Sequence, residues 1–475
     1  VQYALTADHF QTESLSFRPR HALFVFAHVL LGYLMNVSPM FSSLHAWVTA
    51  GIGIIIALNA KRIEPIIYVV SYIVGCEVLW RMTEARVFWE TGKYLTFLLF
   101  GIGLLRFRSM KSSMHPLIYF IVLVPAIFIT IAKLPPAQAK DAISFNLSGP
   151  LTFTVFALFF SRFWLRDQDL QKIFLIFLGP VLATVSITLY STLTATQLVF
   201  GSHSMFLTSG GFGPNQVSAI VGLGGLFCFL LFLTNQSATT PTKAVLLGGW
   251  ALFTLESALT YSRGGIYMEF GAIAAASFYS FREQSVRFRL LFFVLLLAVL
   301  ASIGIIPYLD SITSGTFSDR YSSVDSTGRD SLIKDDLKCF YENPFFGVGI
   351  GMSTYSRTVM INVVSHTEYT RALAEHGMLG AFAVLFFFFM LYRRWIETKV
   401  SKPLIVALIV WGLLFLSVYA TRLVSPLFLL ALPFVTMIAN EKSVSVVDSS
   451  TSVALSRPLK QVNAVGVASA RTGDF

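Results

Sequence analysis

Charge is scarce in this chain. Only 13% of its 475 residues are charged, against about 25% in a soluble domain, so most of its length lacks the polar surface that water would demand. Cysteine is scarcer still. Of three residues, Cys76 and Cys228 fall within apolar runs and Cys339 stands outside them, which excludes a disulfide framework and a thiolate metal site. No H-E-x-x-H, no Cys/His cluster and no convincing internal repeat occurs. Acidic residues run short against basic ones, 25 to 35, for a formal net charge of +10. The cations are dispersed among loops and form no single stripe, so no nucleic-acid partner is expected.

What the chain has in abundance is apolar sequence: 55% of residues are hydrophobic and 15% aromatic. Runs of about 16–22 apolar residues, the length that crosses a bilayer as helix, recur near 20–37, 43–60, 65–81, 94–106, 114–132, 149–162, 173–194, 216–234, 244–261, 265–281, 289–308, 378–393, 403–421 and 423–439. A transmembrane barrel would show shorter alternating segments instead. The fold class expected is an all-α polytopic membrane protein of about 12–14 transmembrane helices. It has one long external loop, 309–377, containing amphipathic helices. A membrane domain 1–441 is expected to precede a disordered cytoplasmic tail, 442–475, rich in Ser, Val, Ala and Thr.

Orientation follows from the basic residues. With Arg18 and Arg20 cytoplasmic, so are Lys61 and Arg62, Arg106, Arg162, Arg166 and Lys172, Lys243, Arg287, and Arg393, Arg394, Lys399 and Lys402. That is the positive-inside pattern, and it places both termini inside and the 309–377 loop outside. Residues 1–18 lack a secretory signal's tripartite pattern, so the first span is expected to act as the targeting signal.

Cations that break this pattern stand out. Arg263, in Thr260-Tyr261-Ser262-Arg263-Gly264-Gly265, sits where one span ends outside and the next begins. It is either an interfacial Arg or a forked ligand for an anion, with the Gly pair permitting close backbone approach. Arg81, Arg86 and Lys93, among Trp80, Glu84, Trp89 and Glu90, are interfacial anchors or a second anion site.

The external loop carries the remaining signals. Thr327 and Asp330 have capping-box spacing before a helix over 331–341, with Leu332, Ile333, Leu337, Phe340 and Tyr341 on one face. Arg329 in its first turn opposes the helix dipole, which suits either a solvated Arg or one sharing an anion with backbone N–H groups. Gly347-Val348-Gly349-Ile350-Gly351 lacks the spacing and βαβ context of a dinucleotide fingerprint and reads as close backbone packing. His366 is expected to open a helix leading to Leu373. There the dipole would keep it neutral and able to accept a proton, though a solvated or capping His fits the spacing too. Tyr369 shares its helical face, and Arg371 and Glu375 form an i,i+4 pair. The lone D-x-D, Asp167 and Asp169, lies among basic residues of a loop assigned to the cytoplasm.

His366-Thr367 followed by Gly377-Met378-Leu379-Gly380, preceded by Arg329 and Asn343-Pro344-Phe345-Phe346-Gly347, resembles the signature of the O-antigen ligase and polymerase superfamily. Ser262-Arg263-Gly264-Gly265 and Phe212-Gly213-Pro214-Asn215 are similar to that family in order and spacing. The resemblance covers roughly 205–390. It implies a metal-independent GT-C-type transferase without cofactor in the bacterial inner membrane, with its active site on the periplasmic face. The donor implied is a glycan on undecaprenyl pyrophosphate. The acceptor is lipid A core or another lipid-linked glycan. His366 then corresponds to the base acting on the acceptor hydroxyl, and Arg263 to the Arg on the leaving pyrophosphate. Arg329, Arg81, Lys93, Asn215, Tyr369 and Glu368 are the expected substrate-binding residues. The chain departs from the family pattern in having no Arg in Leu207-Thr208-Ser209-Gly210-Gly211, ahead of Pro214-Asn215.

Three classes of function fit: a transferase of ligase or polymerase type, a lipid-glycan transporter working through Glu77, Glu256 and Glu269, and a non-catalytic scaffold.

Overall fold

The computed structural model describes residues 16–438, except 108–112, 197–198, 202, 236–237, 282–286, most of 289–300, 324–327 and 358–362. The expected tail, 442–475, and half of the expected span at 289–308 lie outside the described residues. Among the described residues, nine helices are long and apolar enough to cross a membrane. They are α1 (Pro19–Val37), α2 (Pro39–Asn59), α3 (Glu64–Met82), a helix pair over His115–Lys133, α7 (Pro136–Phe160), α8 (Asp167–Thr194), α9 (Pro214–Thr234), Glu368–Glu397 and Lys402–Tyr419. The shorter or more polar α4 (Thr91–Arg106), α10 (Thr240–Leu259) and α11 (Arg263–Ser280) pack into the same bundle. The chain is an all-α polytopic membrane protein.

Starts and stops follow local chemistry. Pro stands in the first turn of many of these helices, where its missing N–H costs no hydrogen bond. Pro125 divides the 115–133 span into α5 (His115–Leu123) and α6 (Ala126–Lys133). Pro150 lies inside α7 and leaves the Asn146 carbonyl without its helical donor. Arg371 takes part of that place, with Nη2 3.4 Å from the Asn146 carbonyl and Nη1 2.5 Å from its Oδ1.

The core is aromatic and apolar. Phe100 stacks on Phe159 at 4.2 Å and Phe174 on Phe227 at 4.2 Å. Helices α1 and α2 leave Leu23, Phe26, Trp47 and Ile55 exposed, as lipid-facing residues would be. Glycines set the closest approaches. A Cβ on Gly265 would stand 2.2 Å from the Ser218 carbonyl, so α11 meets α9 only because that side chain is absent.

The loop holds α12 (Ile306–Thr313), α13 (Thr316–Ser322), α14 (Arg329–Glu342) and α15 (Ser353–Ser356). Four expectations are corrected. Helix α14 is capped by Gly328 at φ 82 and not by Thr327, which lies outside the described residues. Its buried face carries Leu332, Asp335, Asp336 and Cys339, while Tyr341 is exposed, because Asp336 turns inward to pair with Arg357 at 2.7 Å. His366 does not open the next helix: α16 runs Glu368–Glu397 with Thr367 as its N-cap. The expected span at 423–439 is a short helix, α18 (Ser425–Ala431), then a 3-10 turn, Leu432–Phe434, and a strand, β2 (Thr436–Ile438), parallel to β1 (Trp164–Arg166). Ten helical and four extended residues reach about 28 Å, close to a hydrocarbon thickness. Pro433 suits the change from helix to strand there. Helix α17 is Lys402–Tyr419.

Gly347-Val348-Gly349-Ile350-Gly351 packs as backbone. Val348 N–H donates to the Ala374 carbonyl at 2.9 Å, and Gly349 N–H to Glu375 at 3.1 Å. Gly347, Gly349 and Gly351 all have positive φ, and Gly377 kinks α16 at φ 60 and ψ −136. The kink separates a loop-side segment, 368–376, from the span beginning at Met378.

Candidate functional site

Helix order brings one set of ends together: α3, α10 and α17 end where α9, α11, α16 and α18 begin. A hydrogen-bond relay crosses this end. Ser262 Oγ donates to Asn215 Oδ1 at 2.7 Å and lies 3.0 Å from the Tyr419 hydroxyl. Since Ser262 has one hydrogen, Tyr419 is the donor of the second bond. Arg329 stands over Tyr419, its guanidinium carbon 5.6 Å from the centre of the ring. Gly264 makes the relay possible, because a Cβ there would lie 2.0 Å from the Tyr419 hydroxyl.

Arg263 follows Tyr261, which is held at φ 57, and opens α11. Its guanidinium donates to the Ser323 carbonyl from a half-buried position.

His366 lies in the segment before α16, fixed by an ion pair behind it. Arg357 bonds Asp336 through Nε at 3.0 Å and Nη2 at 2.7 Å, and donates to the Val363 carbonyl and the Ser365 hydroxyl. Thr370 Oγ1 donates to the other Asp336 oxygen at 2.9 Å. The Val418 backbone borders the His366 ring and favours its protonated form. Its Nδ1 is buried without a partner. Burial, then Arg422 and Arg329, push its pKa down to about 4; the Val418 backbone opposes this and Arg357 adds to it. His366 is neutral at pH 7, by burial and guanidinium charge more than by the helix dipole.

Sequence reasoning missed Arg422, Tyr419 and the Asp336–Arg357 pair. Tyr419-Ala420-Thr421-Arg422 places a cation directly after an apolar run at the same end as Arg263, which was the signal available.

The other expected residues are placed differently. Arg81 is buried, 2.8 Å from Glu77 and 3.7 Å from Glu90, and Lys93, 1% exposed, is 2.5 Å from Glu90. Glu368 pairs with Arg371 at 2.5 Å and, with Tyr369, lines a cavity of about 30 Å³ among Asn146, Arg371 and His376. The Tyr369 hydroxyl donates to the Leu413 carbonyl at 3.0 Å. Glu375 joins Arg371 at 3.8 Å, as the spacing anticipated. Asp169 accepts from Tyr68 at 2.8 Å, and Asp167 from Ser401, at the opposite ends of the helices. Glu256 accepts from Thr188 at 2.7 Å and Glu269 from Thr254 at 2.6 Å.

These features define a multi-pass α-helical membrane protein with a cationic, histidine-bearing site at one end of its bundle. Residues 249–385, which include Arg263, Arg329 and His366, match the sequence model of the family described as O-antigen ligase. This match supports membership of the O-antigen ligase and polymerase superfamily, and with it a ligase- or polymerase-type glycosyltransferase using lipid-linked glycans in a membrane. No curated protein and no solved structure matches the chain.

Proposed function

We propose that the protein transfers a glycan from undecaprenyl pyrophosphate to a lipid-anchored acceptor, lipid A core, at the periplasmic face of the inner membrane, as an inverting, metal-independent transferase. The observation that carries this reading is the buried, unpartnered Nδ1 of a neutral His366 beside Arg329 and Arg422. In the step proposed, the acceptor hydroxyl oxygen attacks the anomeric carbon and its proton passes to His366 Nδ1. The bond from that carbon to the pyrophosphate oxygen breaks, and the electron pair leaves with the pyrophosphate. Arg263 binds the leaving group, where fixed positive charge stabilises the charge that develops. Asn215 holds the Arg263 turn through Ser262. The partners of Arg81, Lys93, Glu368 and Tyr369 support positioning roles for these four residues and not direct substrate contact.

The test is transfer by purified wild type and His366→Ala, given undecaprenyl-pyrophosphate-linked glycan with and without lipid A core. Core-dependent product, lost in the variant, is expected. A ladder formed without core would make the enzyme a polymerase of the same superfamily, and no product depending on His366 would sink the transferase reading.

A further inference from the structure

We propose that Arg422 is a second ligand for the donor's diphosphate, working with Arg329, and that two buried carboxylates from different helices aim it. The inference rests on the transferase reading above and adds to it a residue outside the matched segment.

The turn carrying Arg422 is over-determined. Ala420 is held at φ 50 and ψ −155, a conformation a residue with a Cβ keeps only when its surroundings impose it. Glu368 Oε2 accepts from Thr421 N–H at 3.2 Å and from its hydroxyl at 3.3 Å. Glu77 Oε2 accepts from Val424 N–H at 2.7 Å. Arg81 Nη1 donates to the Arg422 carbonyl at 3.0 Å and to Gln216 Oε1 at 2.9 Å, so the turn abuts the start of α9 beside Asn215. Backbone on both sides of Arg422 is therefore fixed from α3 and α16. The side chain reaches toward the His366 segment, with Nη2 3.5 Å from the Val364 carbonyl.

Charge then identifies the ligand. Arg81, Arg357 and Arg371 each have a carboxylate within 4.0 Å. Among the described residues neither Arg329 nor Arg422 has one. The two stand close enough for Arg329 to lower the Arg422 pKa, after burial. Two half-buried guanidiniums without a counter-ion are costly unless an anion joins them. A diphosphate offers oxygens on two phosphorus atoms, which suits two forked donors. Arg329 also stands at the N-terminus of α14, whose N–H groups favour the same charge.

The test measures binding of undecaprenyl pyrophosphate and undecaprenyl phosphate to purified full-length wild type, Arg422→Ala, Arg422→Lys and His366→Ala, with melting curves to confirm folding. Expected are a loss of about thirtyfold in diphosphate affinity for Arg422→Ala, partial retention in Arg422→Lys, and a smaller change for the monophosphate. Wild-type diphosphate affinity in folded Arg422→Ala or Arg422→Lys would overturn the proposal. His366→Ala should bind the diphosphate and fail in transfer, so loss of this proposal leaves the transferase reading standing. A wild type that neither binds nor transfers overturns both. Glu368→Gln should weaken diphosphate binding non-additively with Arg422→Ala; additive losses would remove Glu368 from the positioning role.

Discussion

The Tyr419 hydroxyl stands 3.0 Å from Ser262 Oγ and donates to it, joining the end of one helix to the turn that carries Arg263. Arg329 stands 5.6 Å from the ring of the same residue, so the 309–377 loop, the Arg263 turn and Asn215 meet at Tyr419.

Tyr419→Phe should break this junction without leaving a void. Ser262 loses a donor, for about 1–2 kcal/mol of stability and a fall in transfer of about tenfold through misplacement of Arg263. Thermal melts and initial rates check it. Unchanged rates in a less stable variant would confine the relay to folding.

Gly264→Ala is expected to fail more severely. Its Cβ would lie 2.0 Å from the Tyr419 hydroxyl and 2.6 Å from Cζ, so removing the hydroxyl alone gives no relief. A loss of about 1–3 kcal/mol is expected, with partial recovery of the melting temperature in the Gly264→Ala/Tyr419→Ala double variant. Purely additive losses would deny the contact.

His366 titrates near pH 4 when folded, against 6.5 for an unperturbed imidazole. The base is therefore competent throughout the neutral range, and transfer should fall only as pH drops toward 4. The unfolded chain binds more protons between these values, so stability is also lost as pH falls from 6.5 toward 4. Charged groups around the ring are Arg422, Arg329 and Arg357, the last paired with Asp336. Arg422→Gln removes the largest of the charge contributions and should move the acid limb of the rate profile upward. A limb that stays in place would show that burial alone sets the ring's protonation.

Much of the fold was legible because the bilayer imposes it: apolar runs fixed most helix ends to within a few residues, but α7, α8 and α16 begin at Pro136, Asp167 and Glu368, well ahead of the runs expected from 149, 173 and 378, and Pro433 precedes a strand paired with Trp164–Arg166, a contact between distant segments. Arg263 and His366 were legible because each stands in a short motif. Arg422 was not, since its significance comes from Glu368, Glu77 and Arg81, which lie far away in sequence and meet it only in the folded bundle. Sequence likewise shows that Arg81 and Lys93 are cations at a helix end, but not that Glu77 and Glu90 neutralise them.

Arg81 separates a ligand role from a structural one. As an anion ligand, its loss would weaken donor binding and leave folding intact. As found, its guanidinium is buried against Glu77 and Glu90 and bonds Gln216, the Trp89 carbonyl and the Arg422 carbonyl. Removing it leaves Glu77, which also holds Val424, buried without its counter-ion and Glu90 with Lys93 alone. Arg81→Ala should therefore cost about 3–5 kcal/mol, read as a large drop in melting temperature, whereas exposed Arg86→Ala should change stability by less than about 0.5 kcal/mol. An Arg81→Ala protein that melts like wild type yet no longer binds undecaprenyl pyrophosphate would return Arg81 to the substrate site. Lys93→Ala, which leaves Glu90 buried without its 2.5 Å partner, should follow Arg81→Ala in direction.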